Sequence, residues 1–198
     1  MATPVHGTPA VSFGTDTFLV RRLLGADARK GYDIVSQSGR LVGTALDESD
    51  RLQRLAALLV DRRSRPQTLV LRDSDHTLYA RMRRTYLALR PVFHIEDAGG
   101  AWLGSMRWKR NPVEEVYGLY TGNNEHVLDI AGNREKWNFK FFDPKGDVMG
   151  LITRQWANMP SEHYNGTRNY VIHIDRQRIR EPRRVLLMLA GGICLDVC

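Results

Sequence analysis

The chain has 198 residues, of which 42% are hydrophobic and 26% charged, the proportions of a soluble globular protein rather than a disordered or membrane-embedded one. That length fits one domain with a substantial core and excludes a small scaffold that needs disulfide staples. A net charge of +7 and a pI near 9.7 favour anionic partners, either nucleic acid or acidic lipid surfaces.

Residues 1–15 hold Pro, Gly and Thr without a basic start or a long apolar stretch. They read as a flexible tail and not as a signal peptide, which leaves 16–198 as a single domain. A first strand is expected at Phe18 to Leu24. An internal repeat then opens with Tyr32-x-Ile34-x-Ser36-x-x-Gly39-x-Leu41-Val42-Gly43. It recurs as Phe93-x-Ile95-x-Asp97-x-x-Gly100-x-Trp102-Leu103-Gly104 and as Phe139-x-Phe141-x-Asp143-x-x-Gly146-x-Val148-Met149-Gly150. Each copy predicts a hairpin, with alternating apolar residues, a turn opened by Ser or Asp, and a Gly that supplies positive φ before the return strand. The last Gly of each copy marks a close backbone approach or a bulge. Leu69-x-Leu71-x-Asp73-x-x-His76-x-Leu78-Tyr79 is a degenerate fourth copy.

Between the first copies, residues 46–65 place Leu52, Leu55, Ala56 and Leu59 on one helical face. Ser49 is the expected N-cap, with acids at the start and Arg62, Arg63 and Arg65 at the end, so a surface helix is expected there. Further strands are expected at Leu78 to Leu89, Trp102 to Lys109, Val116 to Tyr120, Glu125 to Ile130, Val148 to Trp156 and Tyr170 to Ile174, punctuated by Pro, Gly and Asn pairs. The chain ends on its most apolar run, Val185 to Cys198, which is too short for a membrane span of about 20 residues and reads as a buried core helix. Ala190, Gly191 and Gly192 would let surrounding strands approach it. Cys194 and Cys198 share one face of that helix and read as small buried hydrophobes in a reducing compartment, hence a cytoplasmic protein. About a dozen hairpin-ordered strands and one spare apolar helix are both satisfied by a mainly β fold, a closed antiparallel barrel around the helix.

Phe139-Lys140-Phe141-Phe142-Asp143, Gly150-Leu151-Ile152-Thr153-Arg154-Gln155-Trp156 and Ala190-Gly191-Gly192-Ile193-Cys194-Leu195-Asp196 resemble the phospholipid scramblase family. More broadly the chain is similar to the superfamily that joins scramblases, LURP-one-related proteins and Tubby C-terminal domains. The resemblance implies a twelve-stranded antiparallel barrel threaded by a C-terminal hydrophobic helix. It departs from animal scramblases in lacking a Pro-rich arm and a cysteine cluster for lipid attachment. The stretch matching their calcium segment, Ser161 to Asp175, offers the carboxylates of Glu162 and Asp175 alone, too few for an ion that takes six to eight oxygens. No metal site and no cofactor are expected.

There is no P-loop, dinucleotide Gly motif, His-Glu-x-x-His or Gly-x-Ser-x-Gly, so the sequence reads as a non-enzyme. His94 with Glu96, and His173 with Asp175, have strand spacing and read as solvated pairs. The conspicuous feature is cations interleaved with aromatics: Arg81, Arg83 and Arg84 before Tyr86; Arg107, Trp108, Lys109 and Arg110; Lys136, Trp137 and Lys140; and Arg154 with Trp156. Strand alternation puts Arg81 with Arg83, and Arg107 with Lys109, on common faces. One reading is the solvated outside of the barrel. The other, which the resemblance to phosphoinositide-binding Tubby domains implies, is a lipid-headgroup site of Arg81, Arg83, Arg107 and Lys109 with Tyr86 and Trp108 as interfacial aromatics. On that reading the chain is a scramblase-related peripheral protein on an anionic phospholipid or phosphoinositide surface at the inner membrane face, and the resemblance also implies a part in moving phospholipid between leaflets. The alternative is a soluble Tubby-like or LURP-one-like regulatory or interaction module, for which the same cations and aromatics could also grip single-stranded nucleic acid by stacking and phosphate contacts.

Overall fold

The computed structural model describes residues 14–23, 31–49, 67–85, 91–135, 137–154 and 169–198. Its strands are β1 (Thr17–Leu23), β2 (Gly31–Ser36), β3 (Leu41–Asp47), β4 (Gln67–Asp73), β5 (Leu78–Arg84), β6 (Val92–Asp97) and β7 (Trp102–Lys109), followed by β8 (Glu115–Thr121), β9 (His126–Asn133), β10 (Asn138–Phe142), β11 (Val148–Thr153) and β12 (Tyr170–Ile174). Among the described residues one helix, α1 (Pro182–Leu195), follows β12. Each strand pairs antiparallel with its predecessor, and β12 returns to β1, so the sheet closes with no free edge. The expected surface helix over 46–65 lies largely outside the described residues.

Five hairpins at one end of the barrel share a single turn. In each, a Ser, Thr or Asp opens the loop, and its carbonyl accepts the N–H of the residue three positions on: Gly39 to Ser36, His76 to Asp73, Gly100 to Asp97, Asn124 to Thr121 and Gly146 to Asp143. Those receiving residues all have positive φ, from 63° at His76 to 91° at Gly146. The opener's side-chain oxygen accepts a second N–H four positions on, at 2.8 to 3.2 Å in all five. The three copies with Gly and the degenerate fourth are legible in sequence. The fifth, Thr121 to His126, is not, because Thr and Asn replace the Asp and Gly that carry the signal. A sixth opener, Asp175, begins the same way, with its side chain accepting from Gln177 and its carbonyl from Arg178. There the chain turns inward and becomes α1.

Each of the five turns is preceded by a register shift, between Ile34 and Val35 in the first and at the matching residues of the others. The last Gly of each repeat then faces the neighbouring backbone. A Cβ on Gly43, Gly104 or Gly150 would lie 2.4, 2.1 or 2.3 Å from a carbonyl oxygen of the next strand. Close backbone approach therefore requires Gly at these positions.

Alternation sorts the strands' side chains: on β6, Phe93, Ile95 and Asp97 are buried while Val92, His94 and Glu96 are partly exposed. The inward residues enclose α1, whose Val185 through Leu195 are all buried. Pro182 occupies the first turn, where its missing N–H costs nothing, and the first intrahelical bond runs from Val185 N–H to Glu181 O at 3.1 Å. A Cβ on Gly191 would meet Leu119 at 2.9 Å, and one on Gly192 would meet Ile172 at 2.6 Å. The helix thus starts three residues before the expected Val185 and is tight against the wall where its residues are smallest. At its far end, Tyr32 Oη donates to Asp196 at 2.8 Å, Arg84 Nη1 to the Val197 carbonyl at 2.9 Å, and Arg134 Nη1 to the Cys198 carbonyl at 3.3 Å. Cations at this end match the negative pole of the helix.

Candidate functional site

The outward residues of β5 to β9 form a wall with an excess of positive charge. Arg81 pairs in register with Glu96, which in turn faces Trp102, and Arg83 pairs with His94, which faces Ser105. One carboxylate serves two cations here, since Glu96 Oε2 lies 3.8 Å from Arg81 and 3.5 Å from Arg83. Lys109 Nζ donates to both oxygens of Asp129, at 2.8 and 3.0 Å, and His126 Nε2 lies 2.8 Å from the same carboxylate. Arg107 has a different partner. Its guanidinium sits 4.6 Å from the Tyr120 ring centroid and its Nε donates to Ser105 Oγ at 3.1 Å. Four cations thus meet two carboxylates, and Arg107 is held by an aromatic face that leaves its charge uncompensated.

The structure brings Arg81, Arg83, Arg107 and Lys109 onto one exterior surface of adjacent strands. It places Trp108 on the inward side of β7, opposite Tyr117 and packed against the core. Alternation makes this unavoidable once Arg107 and Lys109 face out. Tyr86 lies outside the described residues. The most exposed aromatic on the wall is Trp102, at 51%, with His94 against it edge to face at 5.2 Å. The sequence signal for it was its place in the repeat: Leu41 and Val148 hold the same position after the turn and are also exposed, at 41% and 42%. The pairing of Arg154 with Trp137 is internal, because Trp137 is buried and also packs on Tyr170 at 5.0 Å.

The polar groups around the C-terminal end of α1 hold structure. Burial works against the charge of Arg134, but Glu115 and Tyr117 hold its pKa above the usual value. Burial lowers that of Arg84, whose Nε and Nη2 have no partner among the described residues. Among those residues no three His, Cys, Asp or Glu side chains converge as a metal site requires. The stretch that matches the family's calcium segment, 161–175, where no calcium site is expected, falls mostly outside them. No described helix is long and apolar enough to cross a membrane.

The scramblase family model matches residues 17–197, nearly the whole barrel and its helix. The chain belongs to the scramblase family. Comparison with curated proteins finds no match. Among solved structures, this scramblase-family chain is similar to the X-ray structure of a protein from Arabidopsis thaliana, with a TM-score of 0.53 and 12% identity over 95% of this chain and 99% of that one. At that identity the likeness concerns the fold.

Proposed function

We propose that this scramblase-family protein is a binding protein, not an enzyme, and that it holds anionic phospholipid headgroups on the exterior wall of β5 to β7 at the cytoplasmic face of a membrane. The observation that carries this reading is the charge arrangement. Arg81, Arg83, Arg107 and Lys109 point outward together, outnumber their carboxylates two to one, and leave Arg107 held by Tyr120 and Ser105 without a carboxylate. Family membership supports a lipid as the anion. The barrel interior is filled by α1, so headgroups meet the outer surface.

Each basic residue near an anionic membrane surface contributes about 1 kcal/mol, and the attraction fades beyond a Debye length of about 8 Å at physiological salt. One such residue is weak, whereas four on neighbouring strands give a few kcal/mol. Reversing all four to Glu should abolish flotation with phosphatidylglycerol vesicles while leaving the circular dichroism spectrum intact. Equal flotation of the wild type and the reversed variant across a salt titration would remove this wall from consideration. Stronger retention of the wild type on single-stranded DNA than on vesicles at matched salt would move the site to nucleic acid.

A further inference from the structure

A cleft of about 360 Å³ opens where the upper edge of this wall meets the end of the barrel, between Trp102 and the start of α1. Trp102, Leu103 and Leu187 supply its apolar lining, and Arg183, Arg184, Glu125 and Glu181 its charges. Two of those charges cancel, since Arg184 Nε lies 3.0 Å from Glu181. Arg183 and Glu125 take no ion-pair partner among the described residues, so the cleft presents one uncompensated cation and one uncompensated carboxylate. Trp102 is fixed beside them by its indole N–H, which donates to the Gly104 carbonyl at 2.9 Å, and by His94.

We infer that this cleft recognises a phosphodiester that carries an ammonium group, with Arg183 on the phosphate and Glu125 and the Trp102 face on the ammonium. A simple anion would meet Glu125 and a simple cation would meet Arg183, whereas a small ligand bearing both charges satisfies each. An aromatic face attracts an ammonium within about 6 Å of its centroid, and a volume of this size is at the lower end of small-ligand sites. That chemistry belongs to the headgroups of serine, ethanolamine and choline phospholipids and to their soluble glycerophosphodiesters. The lipid form rests on the wall reading above, because Trp102 stands in the same row as Glu96 and Arg81 and would bring the cleft to the same membrane surface. The soluble form does not.

The full chain, labelled with ¹⁵N, is titrated with glycerophosphoethanolamine, with glycerol 3-phosphate and with ethanolamine, following the Trp102 indole resonance. The diester should shift that resonance at concentrations several-fold below either half-ligand. Arg183→Glu should remove the response, and Glu125→Gln should weaken it about 2- to 5-fold, the size of an exposed charge pair, while leaving glycerol 3-phosphate unaffected. Both positions are exposed, so the fold is retained. An equal response to diester and glycerol 3-phosphate, or none at Trp102, overturns the inference. Flotation then separates the sources. A preference for phosphatidylserine over phosphatidylglycerol vesicles of equal charge, erased by Glu125→Gln, assigns the lipid, and diester binding without that preference assigns the soluble ligand. Failure of the wall reading shows differently, as no flotation on either vesicle with the titration intact.

Discussion

Inside the barrel, Tyr32 donates its hydroxyl to Asp196 at 2.8 Å, and burial together with that carboxylate holds its proton far more tightly than in water. Burial does the same at Tyr170 and Cys194. At Tyr117 burial outweighs the opposing pull of Arg134, and at Cys198 it pushes the thiol up to about 12 against Arg134 and Arg84. Unfolded, these groups ionise at about 8.5 for Cys and about 10 for Tyr. The folded state binds their protons more tightly, so its advantage is complete below those values and is lost as pH rises towards the folded pKa values. Stability should therefore fall steadily from about pH 9 upward. Urea denaturation at pH 7.5 and pH 10.5 measures this, and an unchanged midpoint would mean that the tyrosines and cysteines titrate as freely folded as unfolded. The burial of Cys194 was legible from its apolar neighbours, whereas Cys198 lies beyond the end of α1 at Leu195 and is only partly buried. The phenols were not, because nothing in the local sequence of Tyr32 or Tyr117 reveals that the strand faces a helix end more than 70 residues away.

The hairpins show how one local rule, repeated, builds the larger shape. The three Gly-bearing copies fall on β2–β3, β6–β7 and β10–β11, evenly spaced around the closed order of strands. Two of the glycines in a copy do different work, and substitution separates them. Gly146 has φ of 91° with nothing within 4 Å of an added Cβ, so Gly146→Ala meets backbone strain alone and should cost about 1 to 2 kcal/mol. A Cβ added at Gly104 would lie 2.1 Å from the Tyr120 carbonyl oxygen, so Gly104→Ala must force β7 from β8 and should cost about 3 kcal/mol or more. Urea midpoints of the two variants decide the order, and equal losses would contradict the close approach at Gly104. The sequence pattern revealed that both glycines mattered. It could not rank them, because the distance to Tyr120 depends on the register of β7 against β8, which no spacing within β7 encodes.

For the whole molecule, the closed barrel around its own C-terminal helix was legible because two independent constraints converged, an excess of antiparallel strands with edges to hide and one helix too apolar for the surface and too short for a bilayer. The candidate site was legible only in part: alternation placed Arg81, Arg83, Arg107 and Lys109 outward, and the same alternation turned Trp108 inward. Trp102 was overlooked because a Trp that opens a return strand reads as core until the turn fixes its direction. The architecture makes α1 the core itself, which gives the sharpest test of the fold. Val185, Leu186, Leu187, Met188, Leu189, Ile193 and Leu195 are all buried. At about 1.5 to 3 kcal/mol for each large side chain, their loss removes about 10 to 20 kcal/mol, against a total stability of about 5 to 15 kcal/mol for a typical domain. A chain ending at Glu181 should therefore show no cooperative thermal transition and should bind a hydrophobic dye. The single change Leu189→Asp should have a similar effect, since it buries an unpaired carboxylate in the middle of the barrel. If either variant stayed monomeric with a cooperative transition near that of the full chain, the strands would be holding themselves together and α1 would be a passenger.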